Sequence, residues 1–371
     1  MPEVAGSSPV GRPIFCTLGG SRVPNRWGFP DFDAHEGVHL FTDPASGLQA
    51  VIAIHSTKLG PAGGGVRFWH YADSNEAITD ALRLSRGMSF KNAMAGLPMG
   101  GGKAVVLADA NRTKTDALLK AFGRAIDSLG GRYVTAEDVG MSDKDMVTIS
   151  SETKYVTGLP VASGRAGGNP GPSTALGVYL GVRAAAQRGL GADRMHDVHV
   201  AIQGVGSVGG GLAELLAKDG ARLTLADVDA DRAQALAARL GAAVVPAEEV
   251  LAIEADIVSP NALGAILTET SIAALQTKVI AGGANNQLAT REDGWRLHAR
   301  GITYAPDYVI NAGGIINVCL EYMGHGDRAE VEARIHKIPD RLNEVWDESD
   351  RSGEPAAAVA DMIAKRLIGR G

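Results

Sequence analysis

The stretch VHVAIQGVGSVGGGLAELLAKDGARLTLAD, residues 198–227, decides the fold. Val198, Val200 and Ile202 alternate on a predicted strand that runs into Gly204-Val205-Gly206-Ser207-Val208-Gly209. GLAELLAKDG then reads as a helix, and ARLTLA as a second strand ending at Asp227. This is GxGxxG in the context that gives it meaning. The first glycine permits the tight turn. The second lets backbone approach a pyrophosphate seated on the helix N-terminus. The third allows the helix to pack close to the strand. A carboxylate at Asp227, with Val228 beside it, would bond the adenosine ribose hydroxyls and repel a 2′-phosphate, which favours NAD over NADP. Glycines alone would fit a turn in any α/β protein. The flanking elements and the terminal aspartate argue for a dinucleotide site.

Outward from this unit, the C-terminal side continues as strand, helix, strand, helix, the signature of a parallel sheet. From about Arg328 the chain is charged and helical, and these last helices can pack back on an earlier region. On the N-terminal side, VHLF, the turn DPASG and LQAVIAIH predict a hairpin from Gly37. A glycine-rich loop follows at Gly60 to Gly65. Asn75 to Met88 carries Ala77, Ile78, Ala81, Leu82 and Leu84 at helical spacing. Next come the loop GLPMGGG, the strand KAVVLA, a helix over Thr115 to Leu129 and the strand RYVTAEDVG. ASGRAGGNPGPST is a Gly/Pro/Ser-rich connector that marks a boundary or hinge near residues 158–172, before a helix over Ala175 to Gln187. The fold class is α/β with two domains and a cleft between them: residues 1–160 plus about 331–371, and residues 161–330 as a Rossmann-type doubly wound unit.

The bulk properties agree. A chain of 371 residues, 45% hydrophobic, can build two cores. Its formal charge of -6, without basic runs, disfavours nucleic acid and anionic membrane as partners. Cys16 and Cys319 do not make a disulfide framework, so a reducing cytoplasm is expected. The N-terminus lacks the features of a signal peptide, and no apolar run spans a bilayer. Residues up to about Pro30 read as a loose extension.

Two motifs mislead. His35-Glu36-Gly37-Val38-His39 matches the HExxH zinc pattern, but that chemistry needs a helix. Here glycine sits in the middle and a strand follows, which would hold the two imidazoles roughly 13 Å apart. Gly100-Gly101-Gly102-Lys103 resembles a phosphate loop, yet Leu97 stands where its first glycine belongs and Ala104 replaces the magnesium-binding hydroxyl. No metal is expected.

Lys103 therefore needs another explanation. KNAMAGLPMGGGK, residues 91–103, places Lys91 and Lys103 in an apolar, glycine-rich setting. Lysines are usually solvated. Two cations close together in a partly dry cleft would instead depress one pKa and create a base near neutral pH. This stretch resembles the signature of the glutamate/leucine/phenylalanine/valine dehydrogenase family. So do LGPAGGGVRF, YVTAEDVG, NPGPSTALGVY, QGVGSVG, IAGGANNQL and YAPDYVINAGGIINV.

The resemblance implies an N-terminal α/β domain for substrate binding and oligomerisation, an NAD-binding Rossmann domain, and a homo-oligomer. It implies oxidative deamination of an L-amino acid to its 2-oxo acid and ammonia. Lys91 would bind the substrate carboxylate, helped by backbone at Gly64, and Asn286 would position it. Lys103 would be the general base that activates water, and Asp138 would carry protons to and from the amine nitrogen. Thr174 would hold the nicotinamide carboxamide. Pro260, Asn261, Ala262, Ala284 and Asn285 would line the cofactor groove at strand C-terminal ends.

The resemblance also speaks to the side chain accepted. Glutamate-using members carry a lysine at the position of Gly63 and a serine at that of Val318, so glutamate would be buried unpaired here. Gly63, Met88, Ala136, Ile315 and Val318 would line an apolar pocket for the leucine, valine and phenylalanine class. Leucine and valine enzymes often have leucine at the position of Gly63, so its loss makes room for an aromatic ring, while Ile315 takes room away. Three successive glycines, 63 to 65, suggest a flexible loop. Two other functions compete: a hydroxy-acid dehydrogenase, and a catalytically silent NAD-sensing or scaffold protein of the same fold. The latter predicts loss of Lys103 or Asp138, and both are present.

Overall fold

The computed structural model describes residues 27–29, 31–160, 165–324 and 326–371. Cys16 and most of the N-terminal extension lie outside the described residues. The first lobe holds β1 (Gly37–Asp43), β2 (Leu48–Ser56), β3 (Ala62–Gly63), β4 (Val66–Trp69), α1 (Ser74–Met94), β5 (Gly100–Leu107), α2 (Asp116–Asp127), β6 (Tyr133–Val134) and α3 (Asp143–Ser150). Its sheet has the order β1-β2-β5-β3-β6, with β4 also on β5. The expected hairpin is β1–β2, antiparallel from Gly37↔Ile54 to Asp43↔Leu48. The HExxH stretch forms the expected strand start and no helix: His39 lies on β1, and His35 turns its Nε2 to Ser85 Oγ and the Leu82 carbonyl, each at 3.0 Å.

The second lobe holds α4 (Gly171–Leu190), β7 (His199–Gln203), α5 (Ser207–Lys218), β8 (Arg222–Ala226), α6 (Ala230–Leu240), β9 (Ala243–Val244), β10 (Ile257–Pro260), α7 (Glu269–Ala274), β11 (Val279–Ile280), α8 (Arg291–Ala299), β12 (Thr303–Tyr304), α9 (Asp307–Ile310) and α10 (Gly313–Tyr322). Its strand order is β12-β11-β10-β7-β8-β9, and every pairing is parallel. Read from the far edge this is the 3-2-1-4-5-6 order of a doubly wound sheet, with its switch point between β7 and β10. The chain closes with α11 (Arg328–Ile335), α12 (Ile338–Ser352) and α13 (Ala356–Leu367). α12 packs on α4 and α9, whereas α13 returns to α1 in the first lobe. Beyond α13, the Arg370 guanidinium donates to the carbonyls of Asp33 (2.7 Å), Ala34 (3.0 Å) and His55 (2.5 Å).

Several elements differ from expectation. α1 runs on to Met94, because Ser89, Phe90, Asn92, Ala93 and Met94 extend its buried face. β5 begins at Gly100 rather than Lys103, since Gly100 and Gly101 pair with Ala62 and Gly63. α3 was not anticipated; it starts at a capping box between Ser142 and Asp145. Glycines 63–65 are not slack either. Gly63 lies in β3, the Gly64 N–H donates to the Val134 carbonyl at 3.1 Å, and a side chain at Gly64 would collide with the Gly102 carbonyl.

Candidate active site

Lys103 lies within β5, opposite Ala53 of β2, with only 5% of its surface exposed. Its Nζ donates to Asp138 Oδ2 at 2.6 Å. Glycine at 65 makes that approach possible. A Cβ there would stand 2.8 Å from the Glu137 carbonyl and 2.9 Å from Asp138 Cβ. Burial pushes the Lys103 amine below its ordinary pKa, and Asp138 opposes that shift. Burial alone would raise Asp138, but Lys103 and Arg67 outweigh it and hold the carboxyl below the usual range. Arg67 went unassigned from sequence. Its Nε sits 3.3 Å from the same Oδ2, and its other arm reaches Asp80 at 2.7 Å. Asp80 also accepts from Tyr71 (2.7 Å) and Arg83 (2.8 Å), so the guanidinium is held from behind.

Lys91 occupies the last turn of α1 and is half-buried. Its Nζ crosses to the second lobe and donates to Asn285 Oδ1 at 3.3 Å. Burial pushes its pKa down to about 8, the nearby Lys103 charge adds to that, and Asp307 and Asp138 oppose it. Asp307, also unassigned from sequence, accepts the N–H groups of Tyr308 (2.8 Å) and Gln287 (3.3 Å), which ties α9 to the asparagine loop. Asn311 completes the support by donating to Asn285 Oδ1 at 2.8 Å. Asn286 adopts φ 53° and lines a different cavity, between α1, α8 and α13. Of the two asparagines, Asn285 is the one that meets Lys91. Arg67, Asp307 and Asn311 all lie in motifs visible in the sequence, but their partners come from distant elements.

Among the expected pocket residues, Met88 Cγ would stand 3.2 Å from a Cβ on Gly64. The Ala136 carbonyl accepts from the Val66 N–H at 2.9 Å. Ile315 and Val318 are half-buried, one turn apart on α10. α10 also grips the connector. Glu321 accepts the N–H groups of Gly158 and Leu159 at 3.0 Å, and Asn317 pairs with both backbone groups of Gly167. The connector is therefore held at Gly158, Leu159 and Gly167.

The glycine fingerprint lies at the switch point. Gly204 has φ 82°, and a Cβ there would meet Ala262 Cβ at 2.7 Å. A Cβ on Gly209 would collide with the Gly204 carbonyl, whereas Gly206 has open space around it. α5 starts at Ser207 with no side-chain cap, so its first N–H groups are left for an anion. Asp227 Oδ2 accepts the Val205 N–H at 2.8 Å, while Val228 is 91% exposed. Asn261 Oδ1 accepts the Gly283 N–H at 2.8 Å, and the Pro260 carbonyl accepts that of Ala284 at 2.9 Å. Val208 packs towards Gly283. Thr174, in the first turn of α4, donates to the Pro170 carbonyl at 2.9 Å and stands against Gly314. An open second glycine, an uncapped helix start and a carboxylate at the end of β8 fit a dinucleotide.

Comparison with known proteins agrees. Residues 35–155 match the family model described as Glu/Leu/Phe/Val dehydrogenase, dimerisation domain. Residues 224–367 match that of Glutamate/Leucine/Phenylalanine/Valine dehydrogenase. The chain is 46% identical over 334 residues to a leucine dehydrogenase of Thermoactinomyces intermedius, covering 90% of this chain and 91% of that one. It is 46% identical over 341 residues to a valine dehydrogenase of Streptomyces albus, covering 91% and 93%. The crystal structure of an L-tryptophan dehydrogenase from Nostoc punctiforme superposes with a TM-score of 0.80 at 41% identity, over 91% of this chain and 96% of that one.

Proposed function

The chain belongs to the glutamate/leucine/phenylalanine/valine dehydrogenase family and is an amino-acid dehydrogenase; we propose that it uses NAD to oxidise an apolar L-amino acid of the leucine, valine and phenylalanine class to the 2-oxo acid, ammonia and NADH. The observation that carries this reading is the 2.6 Å contact between buried Lys103 and Asp138, with the weakened ammonium of Lys91 in electrostatic reach of both.

The Lys91 ammonium leaves Asn285 and clamps the substrate carboxylate with a charge-assisted hydrogen bond, alongside backbone at Gly64. The glycine loop from Gly204 to Gly209 would hold the pyrophosphate, Asp227 the adenosine ribose and Thr174 the carboxamide, with Pro260, Asn261, Ala262 and Ala284 along the groove. A nicotinamide held there would supply the hydride acceptor, so that the substrate would become an iminium once the α-carbon gave up its hydride. Lys103, favoured in its neutral form by burial, takes a proton from the water that attacks the iminium carbon. Asp138, an ionised carboxylate, takes a proton from the substrate ammonium before the hydride leaves and returns it to the carbinolamine nitrogen so that ammonia departs. Arg67 and its Asp80 brace keep that carboxylate in place. A glutamate side chain would meet no cation at Gly63 and no hydroxyl at Val318, a costly burial.

The same reading makes the protein a homo-oligomer. β1 is an edge strand with Leu40 67% exposed, a template for pairing with a second copy.

NADH formation from L-leucine, L-valine and L-phenylalanine at alkaline pH tests the reaction, and turnover of at least one is expected. Silence on every apolar L-amino acid would contradict it and favour the hydroxy-acid or scaffold alternatives.

A further inference from the structure

We propose that Met99 is a specificity-determining residue, its thioether end setting the depth of the pocket that receives the substrate side chain. The inference rests on the amino-acid dehydrogenase reading above.

Sequence alone makes Gly63 a vacated position with room for a large substrate. The structure fills that room from the neighbouring segment. Gly63 is clamped in β3 between Gly101 of β5 and Val134 of β6. Successive residues on a strand face opposite ways. Ala62 Cβ points towards Gly102, whereas a Cβ on Gly63 would point towards α1, 3.8 Å from Asn92 Nδ2. That direction is already taken. The Cβ would lie 2.5 Å from Met99 Cε and 3.3 Å from its Sδ. Beside it, Met88 overhangs Gly64. Two thioethers therefore cover a floor of glycine.

This wall behaves differently from one built of a branched residue at position 63. Methionine has three rotatable bonds and a polarizable sulfur, so it adapts its shape to what presses on it. The contacting atoms are the far end of the Met99 side chain, which can turn aside only by giving up packing, since Met99 is 2% exposed. A small substrate leaves the Cε methyl over Gly63, and a larger one displaces it. The pocket thus favours short side chains over bulky ones by what the displacement of Met99 costs. The competing explanation is that Met99, 2% exposed, only fills the core. Both explanations predict some loss of stability when the side chain is cut back. Only ours predicts a change in the ratio of substrates.

The experiment compares Met99→Ala, the milder Met99→Val, Gly63→Leu and the double variant Gly63→Leu/Met99→Ala. For each, kcat/KM is measured on L-valine, L-leucine and L-phenylalanine, together with the thermal midpoint. Cutting back Met99 is expected to raise the phenylalanine-to-valine ratio by about tenfold or more, the scale of a methylene in an apolar pocket. Gly63→Leu alone should lose activity and stability through its clash with Met99. Met99→Ala should restore part of both, so that the two changes are not additive. An unchanged ratio in folded Met99→Ala and Met99→Val overturns the proposal, as do additive effects in the double variant. Should the wild type turn over none of the three, the functional reading fails instead. The steric pairing is then judged on the midpoints, where additivity overturns it.

Discussion

Lys91 and Lys103 share a cleft but have opposite protonation requirements. The anchor must carry a proton and the base must not. Burial lowers both, and Lys91 reaches about 8 from an ordinary 10.5. In the free enzyme kcat/KM should therefore show a falling limb above about pH 8, where Lys91 loses its charge. Lys91→Arg, whose guanidinium stays charged, is expected to abolish that fall while weakening carboxylate binding. A pH profile of kcat/KM with the same alkaline limb in this variant would remove Lys91 from it. The stability sign follows from the same shift. Between pH 8 and 10.5 the unfolded lysine binds more protons than the folded one, so this residue's contribution to stability rises with pH across that window. Lys91 and Lys103 stood out because two lysines among glycines are anomalous, while their roles and that of Asp138 came from the motif resemblance. Arg67, Asp80 and Asp307 were not, since nothing in a linear sequence shows that Arg67 meets Asp138 or that Asp307 faces Lys91.

The β7–α5–β8 unit was readable in the sequence because each of its parts is short-range: alternation, glycine spacing and an aspartate at a strand end. α1 was cut short because its buried face changes from alanine and leucine to Ser85, Ser89 and Asn92, polar residues that hydropathy treats as surface. Packing against Gly100 and Gly101 keeps them inside; Asn92 Nδ2 bonds the Gly100 carbonyl at 2.5 Å. Gly63 was misread for a related reason, as open space cannot be inferred from one position when Met99 can enter it. Asp227 shows how one side chain serves two purposes. It receives the Val205 N–H and so shapes the glycine turn, and Arg232 stands 3.6 Å from it. Asp227→Ala should weaken NAD by roughly 10–100-fold, the worth of a hydrogen bond to a charged group. With Arg232 left to greet a 2′-phosphate, the preference for NAD over NADP should narrow. Cofactor KM values settle this, and an unchanged NAD-to-NADP ratio would refute the role.

At the scale of the molecule, the two sheets divide the work. The second carries the cofactor cradle at its switch point, and the first carries Lys91, Lys103 and Asp138. Contacts that join them include Lys91 to Asn285, α10 to the connector, α9 to α1 and α13 to α1. This long-range arrangement came from motif resemblance rather than from periodicity, because no local pattern says which lobe faces which. Among the described residues no helix is long and apolar enough to cross a membrane. If labour is divided in this way, chemistry and cofactor binding separate under mutation. The most direct measurement is NADH formation by Lys103→Ala, with NAD affinity titrated on the same preparation. The account predicts near-normal NAD binding and a rate lower by a factor on the order of 10²–10⁴, the worth of a general base. A variant that turns over amino acid at close to the wild-type rate would contradict it.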